Sequence, residues 1–320
     1  MVDVAALGEL LIDFTESGIS PGGMKLFERN PGGAVANVLA AVARLGGSAA
    51  FLGKVGDDMH GRFLKETLER AGIDVTGLVT TPAFFTTLAF VAISETGERT
   101  FSFARKPGAD TQFCADEVDE AVVRGAKVLH VGSLSMTDEP ARSATLHAVA
   151  LAKEAGAVVS YDPNYRASLW KDEQTAKERM RELLPFVDVM KLSEEETLLL
   201  TGHADAESAA RHLNAAGISC VAVTLGKNGA LVCVRGETVA AAGFPLPAVD
   251  TTGAGDAFWG GFLYRMLALK KRPGELELCE AADCAAWGNA VATCCVQKRG
   301  GIPAMPSKKE VLELMRRYGR

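Results

Sequence analysis

The chain has 320 residues, 48% of them hydrophobic and 23% charged, enough to bury a real core in one large domain or one domain with an appendage. Lys plus Arg total 34 against 40 for Asp plus Glu, and the resulting net charge of −6 offers no positive field to nucleic acid or to an anionic membrane. Seven cysteines, with no CxxC pair and no Cys/His zinc spacing, read as buried thiols of a reducing cytoplasm.

The N-terminus, Met-Val-Asp-Val, lacks the basic region and apolar core of a signal peptide. Residues 4–12 then read as an apolar strand, and an Ala-rich helical pattern over residues 32–45 stops at Gly46-Gly47. A strand over residues 49–55 leads through the cap Asp57-Asp58 into a helix over 61–71, closed by Gly72. Residues 75–94 carry no charge and are long enough to span a bilayer, but Gly77, Pro82 and five threonines suit strands and turns better.

Residues 84–94 and 100–105 flank Glu95-Thr96-Gly97-Glu98-Arg99 and predict an antiparallel hairpin. Both alternating faces of its first strand are apolar: Phe84, Leu88 and Phe90 on one, Phe85, Val91 and Ile93 on the other. Either a ligand site and a second subunit cover these faces, or the hairpin packs into the main core.

A strand over 128–133, a helix over 141–155 closed by Gly156, and strands over 158–162, 187–192 and 221–225 complete the alternation. Near-continuous apolar strands separated by helices predict an α/β fold: a doubly wound, mainly parallel sheet with helices on both faces. Ligands then belong beyond the strands' carboxyl ends.

The chemistry concentrates in Asp250-Thr251-Thr252-Gly253-Ala254-Gly255-Asp256-Ala257-Phe258, a small-residue loop running into the helical pattern Phe258, Phe262, Met266, Leu269. Backbone N–H groups at such a helix start form an anion site that the helix dipole strengthens. Asp256, in the first turn, fits a base that takes a hydroxyl proton while those amides hold a phosphoryl group; a dipole-stabilising Asp is the other reading. Pro31-Gly32-Gly33-Ala34-Val35-Ala36-Asn37 is a second glycine-started helix that a ligand can approach closely. Two familiar nucleotide motifs fail: Gly47…Gly53-Lys54 has the wrong spacing and is followed by Val55, and Phe258 breaks GxGxxG after Gly253-x-Gly255.

The Gly-Gly-Ala-x-Ala-Asn segment and the late Asp-Thr-Thr-Gly-Ala-Gly-Asp-Ala-Phe together resemble the ribokinase-like (PfkB) carbohydrate kinases along essentially the whole chain. Gly8-Glu9-Leu10-Leu11-Ile12-Asp13-Phe14, Arg44-Leu45-Gly46-Gly47, Gly53-Lys54-Val55-Gly56, Asp162-Pro163-Asn164-Tyr165-Arg166 and Lys191-Leu192-Ser193-Glu194-Glu195-Glu196 are most similar to the fructokinase branch. The resemblance implies one ribokinase-like domain over residues 1–320, with lid strands inserted at about 12–30 and 84–108. It implies ATP-dependent transfer to a sugar's primary hydroxyl, with Asp256 as base and the Gly253, Ala254, Gly255 and Asp256 amides as anion hole.

By the same resemblance, Asp13, Gly32, Gly33, Asn37, Arg105 and Arg166 bind the sugar, Asp13 ending the first strand. Lys191, Thr224, Gly226, Gly229 and Asn289 serve ATP; read alone, the residues 224–229 loop is a plain turn. Glu196 organises Mg²⁺ through water, although Ser193-x-x-Glu196 is also a capping box. Asp250 and the Thr252 carbonyl, with carbonyls near Gly300, form a monovalent-cation (K⁺) site. A homodimer clasped through the β-lid is expected. D-Fructose fits the phenylalanines Phe90, Phe101 and Phe103 on the lid; a 2-keto-3-deoxygluconate kinase and a non-catalytic sugar sensor on a kinase fold are the alternatives.

Overall fold

The computed structural model describes residues 1–93 and 99–319; the turn expected over residues 94–98 lies outside them. The chain opens with β1 (Val2–Leu7), then β2 (Leu11–Ile19) and β3 (Lys25–Gly32), followed by α1 (Ala34–Arg44), β4 (Ala49–Gly56), α2 (Met59–Arg70) and β5 (Ile73–Thr81). Next come β6 (Leu88–Ile93), β7 (Arg99–Ala104), α3 (Glu120–Arg124), β8 (Ala126–Gly132), α4 (Ala141–Glu154) and β9 (Val158–Asp162). The second half adds α5 (Glu173–Glu182), β10 (Val189–Ser193), α6 (Glu194–Thr201), α7 (Ala206–Ala215), β11 (Cys220–Thr224), β12 (Gly229–Val234) and β13 (Glu237–Ala242). Three helices finish it: α8 (Ala254–Ala268), α9 (Leu278–Cys295) and α10 (Lys308–Arg317).

Nine strands form one sheet in the order β13-β12-β11-β10-β9-β8-β1-β4-β5. From β11 to β5 all pairs are parallel, and β12 and β13 add an antiparallel edge. Successive strand residues point to opposite faces, so the sheet divides its apolar side chains between two cores. Val4 and Ala6 belong to the core under α1, α8 and α9, whereas Ala5 and Leu7 belong to the one under α4. The chain winds outward from β1 to β5 and then restarts at β8 on the other side of β1. That reversal leaves a crevice beyond the carboxyl ends of β1, β8 and β9.

A four-stranded sheet, β3-β2-β6-β7, stands over this crevice. The expected strand over residues 4–12 is two strands in two sheets: β1 ends at Leu7, and β2 starts at Leu11 and pairs with β3 and β6. Asp13 therefore lies inside β2, not at the end of the first strand. The hairpin's first strand starts at Leu88 rather than residue 84, and Phe85 lies outside it, exposed. Val91 faces inward and is buried, while Phe90 faces out and is stacked on Phe14 at 5.4 Å. Phe14 in turn meets His60 of α2 edge-on at 5.6 Å, anchoring the small sheet to the large one. Among the described residues no helix is long and apolar enough to cross a membrane.

Candidate active site

Helix α8 starts at Gly253, whose φ of 73° is left-handed backbone that glycine adopts without strain. The first-turn N–H groups of a helix have no i−4 partner of their own. Here the Ala254 N–H bonds the Thr251 carbonyl at 3.2 Å, so the Gly255 and Asp256 amides are the better anion donors of the expected set. Asp256 is 8% exposed, and its Oδ2 accepts a 2.8 Å hydrogen bond from Asn37 Nδ2 on α1. Burial, then the Asp162 carboxylate, push its pKa up to about 6 against the pull of Asn37, Lys191 and Arg166. That places a proton acceptor close to working pH.

Asp256 sits where two cavities meet. The first, about 300 Å³, lies beneath the small sheet and is lined by Glu9, Asp13, Gly33, Asn37, Val91 and Phe103, among others. The second, about 700 Å³, opens on the other side and is lined by Lys191, the Glu194-Glu195-Glu196 run and the Thr224–Asn228 turn. Asn164, Arg166, Thr251, Gly253 and Asp256 line both. Asp256 and the start of α8 thus stand at the junction of the two cavities.

The two glycines before α1 are required by close approach, and of the two Gly33 lines the first cavity. A Cβ on Gly32 would strike the Asp13 carboxylate, and one on Gly33, at φ 122°, would strike the Glu9 carbonyl. Asn37 Oδ1 is buried and has no partner among the described residues, so a donor from a ligand would complete it. In the second cavity Lys191 Nζ bonds both oxygens of Asp162, at 3.0 and 2.9 Å, and lies close beneath Gly255. Burial works against its charge, but Asp162 and Glu196 outweigh that and hold the ammonium above its ordinary pKa.

Glu196 makes the capping box in full: Oε2 accepts the Ser193 N–H at 2.7 Å. Its Oε1 accepts the Tyr165 N–H, also at 2.7 Å, which ties the loop after β9 to α6. Each carboxylate oxygen keeps a second lone pair, and Glu196 lines the second cavity. Asp250 accepts from Thr252 N–H at 2.9 Å and Gly300 N–H at 3.0 Å, bringing the two segments of the expected cation site together.

Three expected ligand residues are placed elsewhere. Arg105 is buried, its Nε bonding Asp110 at 2.8 Å and its other nitrogens bonding Thr137 Oγ1 and the Leu134 carbonyl. It braces the base of the small sheet and does not line the first cavity. Asn289 spends its amide on the Ala241 and Ala242 carbonyls at 2.8 and 3.3 Å. Gly229, at φ 100°, is there because the backbone it approaches is its own chain's, at Ala241 and Gly243. Sequence reasoning gave no role to Asp162 or Glu9. The signal for both was a carboxylate next to a strand's carboxyl end, within segments already singled out as similar.

The model of the pfkB family carbohydrate kinases matches residues 1–308. Fructokinase-1 of Zea mays is 41% identical over 319 residues, covering 98% of this chain and 97% of its own. A fructokinase of Xylella fastidiosa solved with bound ATP superposes with a TM-score of 0.92 at 34% identity, over the whole of both chains. A Vibrio cholerae fructokinase holding fructose, ADP and calcium gives 0.88 at 34% identity, over 98% of this chain and 99% of its own. With its whole length matched and its helix-start loop at the seam of two cavities, the chain belongs to the pfkB family of carbohydrate kinases.

Proposed function

We propose that this protein transfers the γ-phosphoryl group of ATP to a primary hydroxyl of D-fructose. The observation that carries the reading is Asp256 at the junction of a smaller and a larger cavity, beside a helix N-terminus. The sugar occupies the first cavity, with Asp13 accepting from its hydroxyls. Asp256 takes the proton of the attacking hydroxyl, and the Gly255 and Asp256 amides stabilise the charge on the phosphoryl oxygens. Phosphoryl transfer has a loose transition state, so holding acceptor and donor in line past Asp256 contributes more than base strength. Arg166, exposed and lining both cavities, is suited to follow the phosphoryl group across.

ATP fits the larger cavity, its phosphates toward Lys191 and the α8 start and its nucleoside toward Thr224 and Gly226. The oxygens of Glu196 and its neighbours suit Mg²⁺, a hard cation; with both Glu196 oxygens already accepting backbone N–H bonds, a water-bridged role fits best. When bound, the metal neutralises phosphate charge. Asp250, held by the Gly300 N–H, is the carboxylate that a K⁺ beside the anion loop would draw on, together with the Thr252 carbonyl and carbonyls near Gly300.

A neutral sugar is favoured over a 2-keto-3-deoxy acid because Arg105 is committed to Asp110 within the protein, which leaves Arg166 alone of the two expected arginines on the cavity lining. A sensor is disfavoured by the intact base and anion loop. We also infer a homodimer through the outer face of the small sheet, where Ile19, Phe27 and Phe90 are exposed beside the Lys25–Glu16 ion pair. All seven cysteines are free thiols, which fits a reducing cytoplasm. The test is ADP release from Mg-ATP with fructose, 2-keto-3-deoxygluconate, ribose, glucose and no sugar. Saturable release with fructose supports the reading; release with the keto acid alone reassigns the substrate.

A further inference from the structure

Glu9 follows β1, is 2% exposed, and lines the sugar-side cavity together with Asp13, Asn37 and Asp256. Its Oε1 accepts the Ala34 N–H at 2.7 Å, the first amide of α1. Its Oε2 is buried and has no hydrogen-bond partner among the described residues. A buried carboxyl oxygen left unpaired is costly, and a site that carries one is missing a partner.

We propose that Glu9 is a further sugar-binding, specificity-determining residue: Oε1 caps α1, and Oε2 serves one hydroxyl of the bound sugar as a hydrogen-bond donor. The inference rests on the sugar-kinase reading of the cavity and adds a contact to it. The balance of donors and acceptors carries the argument. A sugar hydroxyl both gives and accepts, yet Asn37 and Asp256, the buried polar side chains that line this cavity beside Glu9, present acceptors, while the donors Asn30, Asn164, Arg166 and Arg299 on the same lining are half-buried or exposed. Asp13 and Asp256 are carboxylates, Asn37 presents Oδ1, and the Asn37 amide hydrogen is already directed to Asp256. A carboxyl that keeps its proton supplies the missing donor.

The surroundings of Glu9 allow that. Burial pushes its pKa up to about 7 against the pull of its own amide and that of Ala34, so near neutral pH a large share of the carboxyl carries its proton; the neighbouring Arg105, paired with Asp110, adds little net positive charge. The α1 cap fixes which oxygen does what. An amide N–H can be met only by an acceptor, so Oε1 must stay unprotonated and Oε2 carries the hydrogen.

Glutamine at this position separates the two roles. In Glu9→Gln the side-chain oxygen keeps the Ala34 cap and the NH₂ group is the only one left for the cavity, as a donor. Glu9→Leu keeps bulk and loses both bonds. Fructose affinity measured by calorimetry on full-length protein is expected to fall roughly tenfold or more in Glu9→Leu and to be largely restored in Glu9→Gln. Melting temperatures measured alongside report the loss of the cap, which Glu9→Gln does not suffer.

A panel of monodeoxy fructoses then identifies the partner. For one hydroxyl, its removal and the Glu9→Leu change are expected to cost no more together than either alone. Glu9→Gln binding as weakly as Glu9→Leu would overturn the donor assignment, and additive losses at every hydroxyl would reduce Glu9 to a helix cap. ADP release by the wild-type protein with a different sugar would contradict the fructose reading instead, and the same cycle on that sugar's deoxy analogues would decide Glu9.

Discussion

A carboxylate in the first turn of an anion-binding helix opposes the phosphate it is meant to receive, and the site limits that conflict through Asp256's neighbours. Burial and Asp162 bring Asp256 to a pKa of about 6, while the Asn37 amide holds the ionised form in place. As the proposed base, Asp256 must be ionised to act, so kcat/KM is expected to fall below about pH 6. In Asn37→Ala the lost hydrogen bond should move this acid limb upward, which a pH–rate profile of the two proteins measures. The stability consequence runs the other way. Asp256 titrates higher folded than unfolded, so its ionisation costs the fold stability above pH about 6. Asp256→Asn should therefore melt higher than wild type at pH 8, the gain shrinking as the pH falls toward 4. The residue types of the site were legible because Asp256, Asn37 and Asp13 sit in short motifs with one geometric solution. Arg105 and Asn289 were not, because a motif position does not reveal that Asp110, or the β13 carbonyls, will consume a side chain's donors.

At the scale of elements, the site depends on how closely α1 and α8 cross, since one carries Asn37 and the other Asp256. Gly260 makes that crossing possible: a Cβ there would lie 2.5 Å from Ala41 Cβ and 2.8 Å from the Val38 carbonyl. Gly260→Val should wedge the helices apart, costing about 1–3 kcal/mol of stability. A fall in kcat larger than the change in ATP KM would show that the damage reaches the Asn37–Asp256 contact. Helices and interior strands were readable to within a few residues because their periods and glycine stops are local signals. The break between β1 and β2 was not. Gly8-Glu9, the single glycine and single charge in residues 4–12, sits at the break, but a lone Gly-Glu inside an apolar strand pattern reads equally as a bulge, so it does not by itself say that the chain leaves one sheet for another.

Across the whole molecule, the small sheet has one face on the sugar cavity and one on solvent. The inward face, with Val91 and Phe103, answers half of the two-apolar-faces puzzle in the sequence. The outward face, with Phe27 edge-on to Phe90 at 6.2 Å, is where a second copy is expected. Sedimentation at micromolar concentration should give a dimer that Ile19→Lys with Phe27→Glu converts to a monomer; a wild-type monomer would contradict it. The central claim is that sugar and nucleotide meet across Asp256, and one paired measurement on Asp256→Asn tests it most directly. Fructose-dependent ADP release and fructose binding are followed in the same preparation. Release is expected to drop by roughly 10²- to 10⁴-fold while fructose still binds within a few-fold of wild type. Turnover at the wild-type rate in that variant would remove Asp256 as the base and, with it, this account of the site.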